Sequence, residues 1–197
     1  PTGLGHKWSQ WSELGVMQRL RSCERTGCSA TETQKFKNIT FDAGVLPDNP
    51  AQAVSSDGST MSIAGAGKIG AVLDGNWENT NATTFCGNSP SGTVVITVTL
   101  ATATAMDRIY VKGYGAGSAF IIKAQYEGEA EPIRVGNGNF ITFAENEKDI
   151  NEIAISFAEV DNTKKITKVI VEMNSPSYGQ DYWQEIGFAV IPDEYRD

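Results

Sequence analysis

Val94-Val95-Ile96-Thr97-Val98-Thr99-Leu100 is the stretch on which the reading of this chain turns. Val94, Ile96, Val98 and Leu100 fall on one side of an extended chain, and Val95, Thr97 and Thr99 on the other, because strand side chains alternate with period two. That is the pattern of a half-buried strand. It continues toward the C-terminus. Residues 108–112 alternate, with Ile109 and Val111 on one face, and residues 119–126 make a strong strand ended by the acidic turn 127–131. Residues 140–143, 153–157, 166–173 and 186–191 follow, bounded by Asn, Asp, Gly or Lys, and Pro192 closes the last. Strands at this spacing, with no helical pattern between them, predict an all-β antiparallel sandwich.

Composition narrows the partners. The 197 residues are 40% hydrophobic and 20% charged, an ordinary globular balance with enough length for a core. The formal net charge of −8 argues against nucleic acid, which needs a basic face, and against docking on anionic lipid. No apolar run approaches the ~20 residues of a membrane span, so no membrane insertion is expected. The single histidine, His6, leaves the main body without a Ser-His-Asp triad, a Cys-His nucleophile pair or a multi-histidine zinc site.

Upstream of the strands the chain divides into a small segment, 1–35, and a polar connector, 36–50, ahead of a sandwich spanning 51–197. One short strand is expected within the connector, at 37–41. Trp8 and Trp11 precede Arg19 and Arg21, which project to one side of an extended strand. Two tryptophans and two arginines so placed can interleave by cation–π stacking. An amphipathic helix over 11–20 is the alternative, with Trp11, Leu14, Val16, Met17 and Leu20 near a 3.6 period. Cys23 and Cys28 are close enough for a disulfide to close a short loop and staple a segment too small to own a core. Cys86 is then buried, free or paired with another chain. Two sequons begin at Asn38 and Asn81. With its Trp-x-x-Trp and later Arg-x-Arg-x-Cys, the first 28 residues resemble the start of a thrombospondin type 1 repeat. The cysteine usual after the tryptophans is absent, and Ser12-Glu13-Leu14 stands there.

A second resemblance reaches function. Its carriers are Ala71-Val72-Leu73-Asp74-Gly75-Asn76, the strand at 94–100, Met106-Asp107-Arg108-Ile109-Tyr110-Val111, the strands at 119–126 and 166–173, and Trp183-Gln184-Glu185-Ile186-Gly187-Phe188. In this order, residues 51–192 resemble the galactose-binding-like jelly roll, the fold of discoidin domains, coagulation-factor C-type domains and many carbohydrate-binding modules. The resemblance implies a structural Ca²⁺ shared by the Asp-Gly-Asn turn and the terminal glutamate. Asp74 would give a side-chain oxygen, Ala71 and Asn76 backbone carbonyls, Gln184 a carbonyl and Glu185 a carboxylate. Asn79 or Thr80 would fill the usual threonine position. All are hard oxygen donors. Without metal, Asp-Gly-Asn is ordinary turn chemistry.

The resemblance also implies ligand loops at one end of the sandwich. Trp77, Asn88, Tyr114, Tyr178, Tyr182 and Trp183 are the candidates, since a sugar needs an aromatic platform and fixed polar groups. The expected protein is a non-catalytic, extracellular or surface-exposed binding and adhesion module. Its partner is a glycan or a protein, and its setting extends to a viral appendage such as a tail fibre. The alternatives are a structural virion or filament subunit without a small ligand, and a glycoside hydrolase with paired carboxylates drawn from Asp74, Asp107, Glu127 and Glu185.

Overall fold

The computed structural model describes residues 5–41, 53–64, 73, 75, 77, 85–86, 93–114, 119–136, 141–142, 154–174, 182–192 and 194. Fourteen strands run along it: β1 (Ser12–Gly15), β2 (Gln18–Ser22), β3 (Thr31–Lys35), β4 (Ala53–Val54), β5 (Thr60–Ala64), β6 (Phe85–Cys86) and β7 (Thr93–Thr104), then β8 (Met106–Tyr114), β9 (Ala119–Tyr126), β10 (Ile133–Arg134), β11 (Ile141–Thr142), β12 (Ala154–Glu159), β13 (Ile166–Asn174) and β14 (Tyr182–Val190).

Two antiparallel sheets form the sandwich. The larger runs β10-β9-β13-β7-β5-β4, with β11 also on β9, and the smaller runs β12-β8-β14-β6. Ile96, Val98 and Leu100 of β7 are buried while Thr99 is exposed, as the alternation requires. They pack with Ile122 and Ala124 of β9 and Val169 and Val171 of β13 against Ile109 and Val111 of β8 and Ile186 and Phe188 of β14. A buried side chain the size of Phe188 is worth about 1.5–3 kcal/mol over leaving it in water. The architecture is therefore the antiparallel β-sandwich that the strand pattern predicts.

The smaller sheet also buries its outer face. Tyr110 and Ala189 of that face pack with Phe36 and Ile191, and Val16, Met17, Trp77 and Phe157 cover them. The cover comes largely from the N-terminal region, which forms a third sheet, β1-β2-β3. Strands thus replace the helical alternative over 11–20.

Residues 36–41 are not a polar connector, because Phe36, Ile39 and Phe41 are buried. Nor do 37–41 form a full strand. Lys37 exchanges both backbone hydrogen bonds with Val190, and the Asn38 side chain then replaces the ladder: its Oδ1 accepts from the Phe188 N–H at 2.9 Å. The Asn38 sequon is thus committed to packing. Strand β5 lies outside the strands that the sequence pattern predicts; its Met61 is fully buried.

Candidate functional site

The turn at 73–77 lies against the last strand. Leu73 is buried, and its carbonyl accepts from the Phe41 N–H at 2.7 Å. Gly75 has φ of 81°, and a Cβ there would sit 2.8 Å from Thr40 Cγ2. Positive φ and close approach together demand glycine. The Gly75 N–H donates to Glu185 Oε1 at 3.1 Å. Glu185 is fully buried, and Lys112 stands opposite it in the β14–β8 register. The Lys112 ammonium, also buried, donates to the Trp77 carbonyl. Turn, glutamate and lysine therefore meet on the outer face of the smaller sheet. Of the expected calcium ligands, Glu185 lies beside the turn, and Gln184 lies where the β14–β8 register slips between Trp183 and Glu185. Ala71, Asp74, Asn76 and Asn79 lie outside the described residues.

Trp77 is not an exposed platform. Its ring meets Tyr110 edge-on, 6.0 Å between centroids, and a Cβ at Gly187 would overlap it. The absence of a side chain at Gly187 makes the slot that the indole fills, so Trp77 is a packing residue.

The remaining aromatic candidates gather elsewhere. Tyr182 stands opposite Tyr114 on one side and Cys86 on the other, and Trp183 stands between Gly113 and Phe85. In the larger sheet Asn174 stands opposite both Thr93 and Ala119. The connections 87–92, 115–118 and 175–181 thus all leave from strand ends in these rows. Four residues span at most about 14–18 Å from strand to strand, so the link 115–118 keeps the β8 and β9 ends, and with them both rows, at one end of the sandwich. Tyr114, Tyr182 and Trp183 are placed there by register. Asn88 and Tyr178 lie in two of those connections, outside the described residues.

The N-terminal sheet carries the expected interleaved stack. Arg21 lies over Trp8 at 5.1 Å and Trp11 at 4.5 Å; Arg19 lies over Trp11 at 4.6 Å and Phe36 at 5.2 Å. His6 extends it, 4.7 Å from Trp8. Arg19 Nε donates to Gln34 at 2.6 Å, and its Nη1 bonds Asp107 Oδ1 at 3.0 Å. Burial lowers the Arg19 pKa, and Asp107 opposes that shift. The other Asp107 oxygen accepts from Arg108 at 2.8 Å, and Arg108 lies over Phe157. Asp107 therefore bridges two arginines. Glu127 is exposed after β9, and Glu185 holds Gly75. Each described carboxylate of the hydrolase alternative has a structural task or an open surface position.

Cys23 and Cys28 are free thiols, where closeness in sequence suggested a bridge. A bridge needs an oxidant as well as proximity; here the two sulfurs stand as thiols, within 4.8 Å of each other and of His6 Nδ1. Desolvation opposes ionisation of Cys23. Hydrogen bonds from the Cys28 thiol, the Arg25 backbone, the His6 ring and the Lys7 backbone outweigh it and lower the pKa to about 6. The same thiol contact pushes Cys28 up. Sequence reading set His6 aside for want of a second histidine; its position upstream of a Cys-x₄-Cys pair was the signal. It also missed Lys112, marked by a lone lysine ending the apolar run 109–111.

No family model matches the chain, and no curated protein matches it in sequence. Among solved structures it is similar to the family 29 carbohydrate-binding module CBM29_1 of Piromyces equi, at 14% identity and TM-score 0.47 over 83% of this chain and 95% of that one. It is also similar to the family 32 module of C. perfringens NanJ solved with galactose, at 14% and 0.42 over 65% and 92%. A third is TmCBM61 solved with β-1,4-galactotriose, at 12% and 0.43 over 66% and 88%. At these values no residue role passes from those proteins to this chain.

Proposed function

We propose that this chain is a non-catalytic glycan-binding module whose ligand site lies at the end of the sandwich marked by Cys86, Tyr114, Asn174 and Tyr182, the strand ends from which connections 87–92, 115–118 and 175–181 start or to which they return. The observation that carries the reading is the register of β6, β14 and β8, which gathers Cys86, Tyr182 and Tyr114 into one row. The loop Pro176-Ser177-Tyr178-Gly179-Gln180-Asp181 leads into that row. Tyrosines beside short amide, hydroxyl and carboxylate side chains match a sugar's apolar ring face and its hydroxyls. The acidic chain favours neutral over polyanionic glycans. An exposed setting, on a secreted protein or a larger assembly, suits such a module.

A structural Ca²⁺ belongs to the same proposal. The donor chemistry fits: a buried carboxylate, Glu185, faces a turn whose flanking residues, Asp74 and Asn76, are oxygen donors. Asp74, Glu185 and the carbonyls of Ala71, Asn76 and Gln184 would hold the ion, with Asn79 as a further donor. The ion would supply charge compensation and pin the turn to the last strand. Lys112 brings a second positive charge to this strand pair, so the ion's contribution is open to direct measurement.

The test is a glycan array probed with the full chain, followed by calorimetry on the best ligand. Tyr178→Ala and Tyr182→Ala should each weaken binding about tenfold or more, as aromatic anchors do. Unchanged affinity in both variants, or an array without a binder, would refute the reading.

A further inference from the structure

We propose that His6, Cys23 and Cys28 form a binding site for a thiophilic divalent ion, Zn²⁺ foremost, at the far end of the Trp–Arg stack. The three donor atoms, His6 Nδ1 and the two sulfurs, all lie within 4.8 Å of one another. Cys28 Sγ is already 3.4 Å from His6 Nδ1. Tetrahedral zinc, with bonds of about 2.3 Å to sulfur and about 2.0–2.1 Å to nitrogen, sets its ligands roughly 3.5–3.8 Å apart. One edge is therefore at metal distance before any ion enters, and closing the others takes an ångström or less.

The backbone builds this arrangement. Cys23 pairs with Trp8 in an isolated bridge. The Glu24 N–H donates to the Lys7 carbonyl at 2.7 Å, which lays the His6 segment beside the cysteine turn. The Cys28 N–H donates to the Arg25 carbonyl at 2.9 Å, and Gly27, at φ 76°, folds the second thiol back toward the first. Four residues separate the cysteines, within the spacing common in zinc sites. The imidazole is oriented by Trp8, which is held in turn by Arg21.

Donor type selects the ion. Two sulfurs and an imidazole favour zinc or another thiophilic metal over Ca²⁺ or Mg²⁺, which take oxygen. Two thiolates and a neutral imidazole bind Zn²⁺, and whatever protons the two sulfurs still carry pass to solvent as the metal–sulfur bonds form. Three protein ligands leave the fourth tetrahedral position to water, on the side where His6 is exposed. The site would clamp the start of the chain to the turn after β2, at the opposite end of the stack from Phe36 and independently of the glycan reading.

The experiment uses the full chain with its thiols reduced, titrated with Co²⁺ and then Zn²⁺. One equivalent of Co²⁺ should produce thiolate charge-transfer absorption in the near ultraviolet and strong tetrahedral bands in the visible, both abolished by one equivalent of Zn²⁺. Cys23→Ser and Cys28→Ser should each lose the charge-transfer band. His6→Ala, at an exposed position that leaves folding intact, should weaken Zn²⁺ beyond the roughly 10–100-fold of a lost outer partner. Chain purified without reductant but with zinc present should carry one zinc, with both cysteines alkylated only after chelation. A Cys23–Cys28 disulfide in that material, cobalt absorption without a thiolate band, or full affinity in His6→Ala would each overturn the proposal.

Discussion

Gly75 and Glu185 stand 110 residues apart in the chain and are joined by a hydrogen bond of 3.1 Å from the Gly75 N–H to Glu185 Oε1. The contact brings an acidic, oxygen-rich turn to a fully buried carboxylate. If the pair holds Ca²⁺, an ion at 100 times its Kd stabilises the fold by about 2.7 kcal/mol. Chelation should then lower Tm by roughly 5–10 °C for a chain of this size. Asp74→Asn and Glu185→Gln should each remove most of that response. Differential scanning calorimetry with and without chelator, beside elemental analysis, decides it. A wild-type Tm indifferent to chelator, with no bound calcium, would leave Lys112 as the cation of this strand pair.

Arg19 and Asp107 tie the N-terminal sheet to the sandwich, with side-chain exposures of 8% and 9%. Breaking a buried pair by removing one partner typically costs about 3–5 kcal/mol. Asp107→Ala, which removes the carboxylate that Arg19 and Arg108 share, should approach that range in chemical denaturation. Deleting residues 1–35 should do more harm, because it also uncovers Tyr110 and Ala189. A truncated chain with an unchanged denaturation midpoint would show that the N-terminal sheet is dispensable.

Gly187 makes room for Trp77. Gly187→Ala should cost about 1–3 kcal/mol through overpacking and alter tryptophan emission, because the indole must move off Tyr110. Equal stability with unaltered emission would mean that Trp77 does not occupy this slot in solution.

The Cys23 thiol, lowered to about 6, is thiolate at neutral pH, whereas Cys28 is pushed up and stays protonated. In metal-free, reduced protein, iodoacetamide at pH 7 should modify Cys23 first. Its rate should rise with pH to a plateau above about 7, since deprotonation is nearly complete one pH unit beyond the pKa. Peptide mapping that finds Cys28 modified first would contradict the assignment.

The long strands β7, β8, β9, β13 and β14 were legible because burial on one face writes a period of two into the residues themselves. Arg19 and Arg21 were legible for the same reason: their spacing alone puts both guanidinium groups on the side where Trp8 and Trp11 can reach them. The resemblance brings the Asp-Gly-Asn turn and the terminal glutamate together through a shared Ca²⁺; what the structure itself joins is the Gly75 N–H and Glu185 Oε1, by a hydrogen bond.

Other features were decided only by the tertiary structure. That β13 lies between β7 and β9, and β14 between β8 and β6, is set by long-range pairing, on which local periodicity is silent. Phe36, Ile39 and Phe41 sit among polar neighbours and read as connector; Phe36 is buried because the outer face of the smaller sheet needs a cover, and Ile39 and Phe41 because they join the main core. Trp77 reads as an exposed aromatic, and only the missing side chain at Gly187, over a hundred residues away, makes it a packing residue. His6 and the two cysteines likewise become one cluster only when the Lys7–Glu24 hydrogen bond lays the two segments side by side. Sequence determines what a residue can do within its own turn or strand, whereas the company it keeps across the fold depends on which distant surfaces must be buried together.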